Sequence, residues 1–219
     1  GITVSAQGDE GLVTRTLNFR VMPTPPGVGS IVNTSGGINA GDSFTSGSAL
    51  DNTLIGHDAG TAISTGDSNV AVGSSALYSN TTASYNTAVG HRALRDSEAN
   101  YNTGIGYLAL TVTTSGSQNT AVGNSAGQSI TTGDHNAIIG SYAGDAITTG
   151  VSNILFGTNA GTAITTGSRN IGLGVNALIA TTTTDDNTAV GAYALNANTA
   201  TGNTAFGSDA LRQNTSGNY

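Results

Sequence analysis

Bulky apolar, small and polar positions recur along this chain at a fixed spacing, without the long runs or loose alternation of a globular domain. Asn anchors the pattern at Asn52, Asn69, Asn86, Asn102, Asn119, Asn136, Asn153, Asn170, Asn187 and Asn203, in steps of 17 residues broken by two steps of 16. Three positions after each Asn stands an apolar residue: Ile55, Val72, Val89, Ile105, Val122, Ile139, Phe156, Leu173, Val190 and Phe206. Gly follows at four positions and Ala at seven. A degenerate copy begins at Asn33, with Gly37, Ala40, Gly41 and Phe44 at the matching offsets. Such a period is too short for a helix-pair repeat, which takes about 33 residues or more. The segment typified by Asn-Thr-Ala-Val-Gly suits a short strand between Gly-rich turns. The expected fold is all-β: a parallel β-solenoid of the β-roll type, with about eleven 17-residue coils over residues 33–219.

Neighbouring strand residues face opposite ways. Size then suggests that the bulky column, Ile55 to Phe206, lines the interior as the repeat core. The small column beside it (Ala71, Ala88, Gly104, Ala121, Ala189, Ala205) would form a smooth outer face for close packing against another chain, with Ile138 and Leu155 as departures. The recurrent Asn belongs at a bend, its amide satisfying backbone groups of adjacent coils. Two further positions are coupled. Where Gly stands eight after Asn (Gly41, Gly60, Gly127, Gly144, Gly161), an apolar residue stands at eleven (Phe44, Ile63, Ile130, Ile147, Ile164). Where Leu stands at eight (Leu77, Leu94, Leu110, Leu178, Leu195, Leu211), the residue at eleven is Asn80, Ser97, Thr113, Thr181, Asn198 or Asn214. Overpacking and voids each cost kcal/mol, so both positions should feed one core volume. A lone coil buries too little to offset its ordering entropy, and stacking must supply the rest.

Residues 1–32 differ. Leu12 to Met22 alternates like a strand, with Leu17, Phe19 and Val21 on one face, and Pro23, Pro25, Pro26 and Gly27 give a stiff connector. The segment reads as an N-terminal cap or as a docking strand. The pattern stops mid-unit at Asn218-Tyr219, where the next Asn is due, as in a segment of a longer chain.

Composition narrows the function. Of 219 residues 32 are Gly, Cys and Trp are absent, and 9% are charged. All six cations are Arg (Arg15, Arg20, Arg92, Arg95, Arg169, Arg212), and the net charge is −7. No basic surface is available to neutralise phosphates, which excludes nucleic acid as a partner. Without Cys there are neither disulfides nor thiolate metal sites, and no apolar run nears the roughly 20 residues of a membrane span, so no membrane insertion is expected.

Little points to catalysis, and neither enzymatic activity nor a cofactor is expected. His57, His91 and His135 share no carboxylate pattern, and no Gly-x-Ser-x-Gly elbow stands beside a His/Asp pair. Asp67, Asp134 and Asp145 sit near Gly turns, but a calcium-binding solenoid would repeat Asp in every coil. The pairs Thr131-Thr132, Thr148-Thr149 and Thr165-Thr166 suggest the flat Thr array of an ice-binding solenoid, except that adjacent residues point to opposite faces. Tyr85 and Tyr101, which precede a repeat Asn, and Tyr219, after which the next one is due, are candidates for lateral packing. The clearest break in the pattern is the charged run from His91 to Glu98 in a 16-residue coil, which makes His91, Arg92, Arg95 and Glu98 the candidate surface contact.

Runs such as Asn119-Thr-Ala-Val-Gly-Asn-Ser-Ala-Gly-Gln-Ser-Ile-Thr-Thr-Gly133 resemble the stalk repeats of tail-fibre-type proteins of the endosialidase-chaperone class. Asn187-Thr-Ala-Val-Gly191 is more distantly similar to the head coils of trimeric autotransporter adhesins, which have a shorter period. The resemblance covers residues 33–219. It implies a fibre of phage or bacterial origin at a cell surface or on a virion, usually homotrimeric. Nothing here matches the chaperone domain, so self-cleavage and trimer initiation are not implied. The expected function is a structural shaft of an extracellular or viral attachment fibre that displays a binding tip and pairs with copies of itself. The alternative is an adhesin whose lateral surface binds a glycan or cell-surface receptor, and an ice-binding solenoid is a minor one.

Overall fold

The structure, a computed structural model, describes residues 2–8, 11–17, 19–21, 33–45, 48–215 and 217. Strands β1 (Ile2–Gly8) and β2 (Gly11–Leu17) form an antiparallel hairpin. Strand β3 (Phe19–Val21) pairs antiparallel with β4 (Thr34–Gly36), the first strand of the repeat region. The single strand expected over Leu12 to Met22 is therefore divided between two sheets, and Met22 and the Pro-rich connector lie outside the described residues.

From β4 onward every coil contributes one three-residue strand to a single parallel sheet: β5 (Thr53–Ile55), β6 (Val70–Val72) and so on to β14 (Thr204–Phe206). The chain is a β-solenoid. Like residues pair with like, Val72 with Val89 and Ile105 with Val122. The strands are short because the Gly four after Asn turns the chain, with φ between 126° and 149° in every coil. A side chain there would also meet the next coil, since a Cβ on Gly73 would lie 2.5 Å from the Gly90 carbonyl oxygen. Three more corners per coil use left-handed residues, as in Tyr85 (φ 62°), Arg92 (φ 58°) and Leu94 (φ 49°). The turns between them also bond along the axis, for example Gly73 N–H to Ile55 O at 2.8 Å and Gly60 N–H to Ala76 O at 2.8 Å.

The two strand faces are the reverse of the expectation from size. Ala71, Ala88, Gly104, Ala121, Ala189 and Ala205 point inward and are buried. The predicted core column faces out: Ile55, Ile105, Ile139, Phe156 and Phe206 are exposed, and Val72, Val89, Val122, Leu173 and Val190 are half-buried. The interior is narrow and already filled from the opposite wall. A Cβ on Gly104 would come 3.2 Å from Leu94 Cγ, so this position admits only a small side chain when Leu stands at eight.

The coupled positions do share one volume. A Cβ on Gly60 would lie 2.8 Å from both Ile63 Cδ1 and Leu54 Cδ1, and one on Gly144 would lie 2.8 Å from Ile147 Cδ1 and 3.0 Å from Leu155 Cδ1. Ile138 and Leu155 are therefore core residues, and they occur where the opposite wall is Gly. In coils of the other kind Leu77, Leu94, Leu110, Leu178 and Leu195 fill the space, each in left-handed backbone. That conformation costs about 1–2 kcal/mol, and complete burial of Leu contributes about 1.5–3 kcal/mol, so the arrangement holds. The polar residue at eleven is then buried and closes its own turn: Asn80 Oδ1 accepts from Ala83 N–H at 2.9 Å, and Thr113 Oγ1 donates to Leu110 O at 3.2 Å.

The repeat Asn residues form a buried ladder at the strand entrance. Asn119 Oδ1 accepts the backbone N–H of Asn136 at 3.0 Å, and its Nδ2 donates to Gly133 O at 2.8 Å, tying the end of a coil to its start. The same oxygen-to-amide link joins every step from Asn33 to Asn203.

Candidate functional site

The left-handed corners before Asn and six after it carry columns of side chains spaced by the sheet repeat on the outside of the winding, whereas the corner eight after Asn turns Leu inward. At the corner before Asn, the rings of Tyr85 and Tyr101 stack at 5.1 Å with planes 1° apart. On the next side of the winding, His91 stacks on Tyr107 at 5.5 Å. Both pairs belong to the coils beginning at Asn86 and Asn102, or border them.

The four predicted surface residues part into three places. His91 joins the ring stack. Glu98 lines an open cleft with Asn100, Tyr101, Ser115, Ser117 and Gln118, and its carboxylate accepts from Thr81 Oγ1 at 2.9 Å. Arg92 and Arg95 meet in a separate cleft of about 370 Å³, completed by Asp58, Ser75, Tyr78, Ser79 and Asp96. This cleft is a groove between two columns. One is the left-handed corner six after Asn (Asp58, Ser75, Arg92); the other comprises the positions nine and ten after Asn (Tyr78, Ser79, Arg95, Asp96). Tyr78 and Asp58 were not anticipated, since they stand near Arg92 only through stacking, and Asp96 lies within the charged run without having been singled out. Once a winding of 17 residues is assumed, their offsets are the signal that finds them.

Most charge in the groove is compensated. Arg95 Nη2 lies 2.7 Å from Asp96 Oδ2, and the hydrogen bond and charge of Asp96 raise the guanidinium above its ordinary pKa. Ser79 Oγ also donates to Asp96, at 2.9 Å. Asp58 accepts from Asn39 Nδ2 at 2.8 Å and lies 2.8 Å from His57 Nδ1. Elsewhere Arg169 pairs with Asp186, whose pKa it lowers, and Arg212 pairs with Asp209. Among the described arginine side chains, Arg92 alone has no carboxylate partner.

The Asp and Thr columns have structural partners. Asp67 Oδ1 accepts from Leu50 N–H at 2.8 Å and Asp134 Oδ1 from Ser117 N–H at 2.6 Å, so each carboxylate caps the neighbouring coil. Asp145 stands apart: burial raises its pKa, and Oδ1 has no hydrogen-bond partner among the described residues. Thr131, Thr148 and Thr165 each donate their hydroxyl to a carbonyl of the next coil, leaving one exposed Thr column (Thr132, Thr149, Thr166) in place of a paired array. Among the described residues no group of three His, Cys, Asp or Glu side chains is placed to hold a metal ion. Comparison of the chain with protein-family models, curated proteins and solved structures gives no match.

Proposed function

We propose that the chain is a shaft segment of an extracellular or viral attachment fibre, which holds a binding tip at a distance and assembles with copies of itself. The observation that carries this reading is the unbroken ladder of eleven parallel strands in strict register from Thr34 to Phe206. Strand pairing, the Asn ladder and the turn backbone each tie every coil to the next, so stiffness is spread evenly. At about 4.8 Å per strand the stack is about 50 Å long. A rod of this kind transmits position and needs no pocket.

Self-association is supported by the outward strand face. Its two columns, Thr53 to Thr204 and Ile55 to Phe206, contain no charged residue in a chain of net charge −7. Like-charged copies repel, so an uncharged strip of Thr and apolar residues is where a second copy meets least opposition. Ten rungs of about 4.8 by 10 Å give about 500 Å², and the flanking columns are needed to reach the roughly 800 Å² per partner of a stable interface. Three copies are favoured by the resemblance to trimeric fibres.

Light scattering combined with electron microscopy tests the proposal. The expected result is a rod with more than one chain in cross-section, about 50 Å long for each segment of this length. A compact monomer at all concentrations would refute it.

A further inference from the structure

The groove around Arg92 goes beyond a passive shaft, and its reading is independent of whether the chain serves as one. Nothing in the winding requires the residues that build it. In the equivalent coils at Asn170 and Asn187 the matching positions are Ile179 for Tyr78, Tyr193 for Arg92, Asn196 for Arg95 and Ala197 for Asp96. Those coils keep the same strand register and the same buried Leu178 and Leu195. There the groove is bridged from within, because the Arg212 guanidinium lies 4.8 Å above the Tyr193 ring. Around Arg92 it stays open.

We infer that this groove is a binding site for an acidic saccharide, whose ring lies against Tyr78 and whose carboxylate or sulfate is held by Arg92. The chemistry follows from what remains unsatisfied. Asp58 and Asp96 already accept hydrogen bonds from Asn39, Ser79 and Arg95, and His57 stands beside Asp58. Arg92 keeps a planar fork of N–H donors with no carboxylate to receive them, the geometry that matches an oxyanion in two parallel bonds. Tyr78 is 42% exposed and offers an apolar ring with a polar tip. Remaining lone pairs on Asp96 and the Ser75 hydroxyl suit the hydroxyls of a sugar, which both donate and accept. The volume, about 370 Å³, falls in the range of small-ligand sites. The neighbouring carboxylates and net charge of −7 oppose an anion at long range, so binding is weak for one site and gains from several copies along a fibre.

The test is titration calorimetry of the intact chain with oligosaccharides of hyaluronan (carboxylate), of heparin (sulfate and carboxylate) and of maltose (neutral). At least one acidic probe should bind, more weakly as salt is raised, and maltohexaose should not. Arg92→Gln and Tyr78→Ala should each lower affinity about tenfold or more, while Arg169→Gln, on an exposed arginine elsewhere, leaves it unchanged. All three positions are at the surface, and an unchanged melting temperature verifies folding. Three results overturn the site: no binding of either acidic probe, unchanged binding by Arg92→Gln, or equal binding of maltohexaose. Binding of heparin alone identifies sulfate as the recognised group, and binding of hyaluronan identifies the carboxylate.

Discussion

The three coils from Asn69 to Gln118 and the three that begin at Asn170, Asn187 and Asn203 share one interior pattern, although Leu211 in the last coil is exposed. Each carries Leu eight after Asn, a polar residue at eleven and a 16-residue winding in the middle. Outside they differ: the first set has stacked tyrosines and an open groove with an unpaired arginine, the second a cation–π contact and ion pairs of Arg169 with Asp185 and Asp186. Inside the winding each side chain has neighbours above and below that repeat its own chemistry, so the interior permits few choices. The surface columns carry no such demand and are free to specialise. The two sets also differ at one buried point. Asn187 Nδ2 reaches Asn170 Oδ1 at 3.0 Å and Thr184 Oγ1 at 3.1 Å, whereas Asn86 Nδ2 has no partner among the described residues. Both residues head 16-residue windings; the coil before Asn187 offers the Thr184 hydroxyl, where the coil before Asn86 has Ala83, which offers no side-chain acceptor.

The largest expected effect should not distinguish the sets. Gly90→Ala and Gly191→Ala place a Cβ against the carbonyl oxygens of Gly106 and Gly207 and strain the backbone, for a loss of about 3–5 kcal/mol each. Gly207→Ala, with open space around it, should cost only about 1–2 kcal/mol of strain. Denaturant unfolding of the three variants checks this, and a mild Gly90→Ala would break the account of close stacking.

Next in size is the conversion of one coil type into the other. Gly144→Leu overpacks Ile147 and Leu155 and should cost about 2–3 kcal/mol. Adding Ile147→Asn and Leu155→Ala should restore part of that loss, measured in a mutant cycle. An additive cycle would show that the three positions do not share a volume.

The Asn ladder gives a smaller, graded contrast. Asn187→Ala orphans the Asn203 N–H and removes satisfied amide bonds, a loss of about 3 kcal/mol, while Asn86→Ala should cost about 1–2 kcal/mol because one amide group there is already unpaired. Equal losses would remove the distinction between the two 16-residue coils.

The smallest effect lies in the Gly coils between the sets. Burial raises the Asp145 pKa, so folding favours its neutral form; this contribution is complete below the ordinary carboxylate range and is lost as pH rises through the folded value. Asp145→Asn should therefore raise the melting temperature slightly at pH 7 and leave it unchanged near pH 3. A uniform shift at both pH values would mean that the charge is not the cause.

The period, the register and the pairing of Gly with Ile or Leu with a polar residue were all legible in the sequence, because each is a repeated local choice. Which strand face is inside was not. Size alone placed Val72 and Val89 inward, yet the width of the winding is set by side chains from the opposite wall. The signal was present in Leu54, Ile138 and Leu155, which replace Ala only where Gly stands at eight. The charged break at His91 to Glu98 lies in one coil. Its four residues face three ways because offsets within a winding, and not distance along the chain, decide who meets whom.

The inside-out assignment of the strand is tested most directly by thiol labelling, since the chain contains no cysteine. In protein diluted to single chains, cysteine placed at Val122 should react with a maleimide in the folded state, and cysteine at Ala121 should be protected until unfolding. Protection at Val122 with rapid labelling at Ala121 would contradict the account.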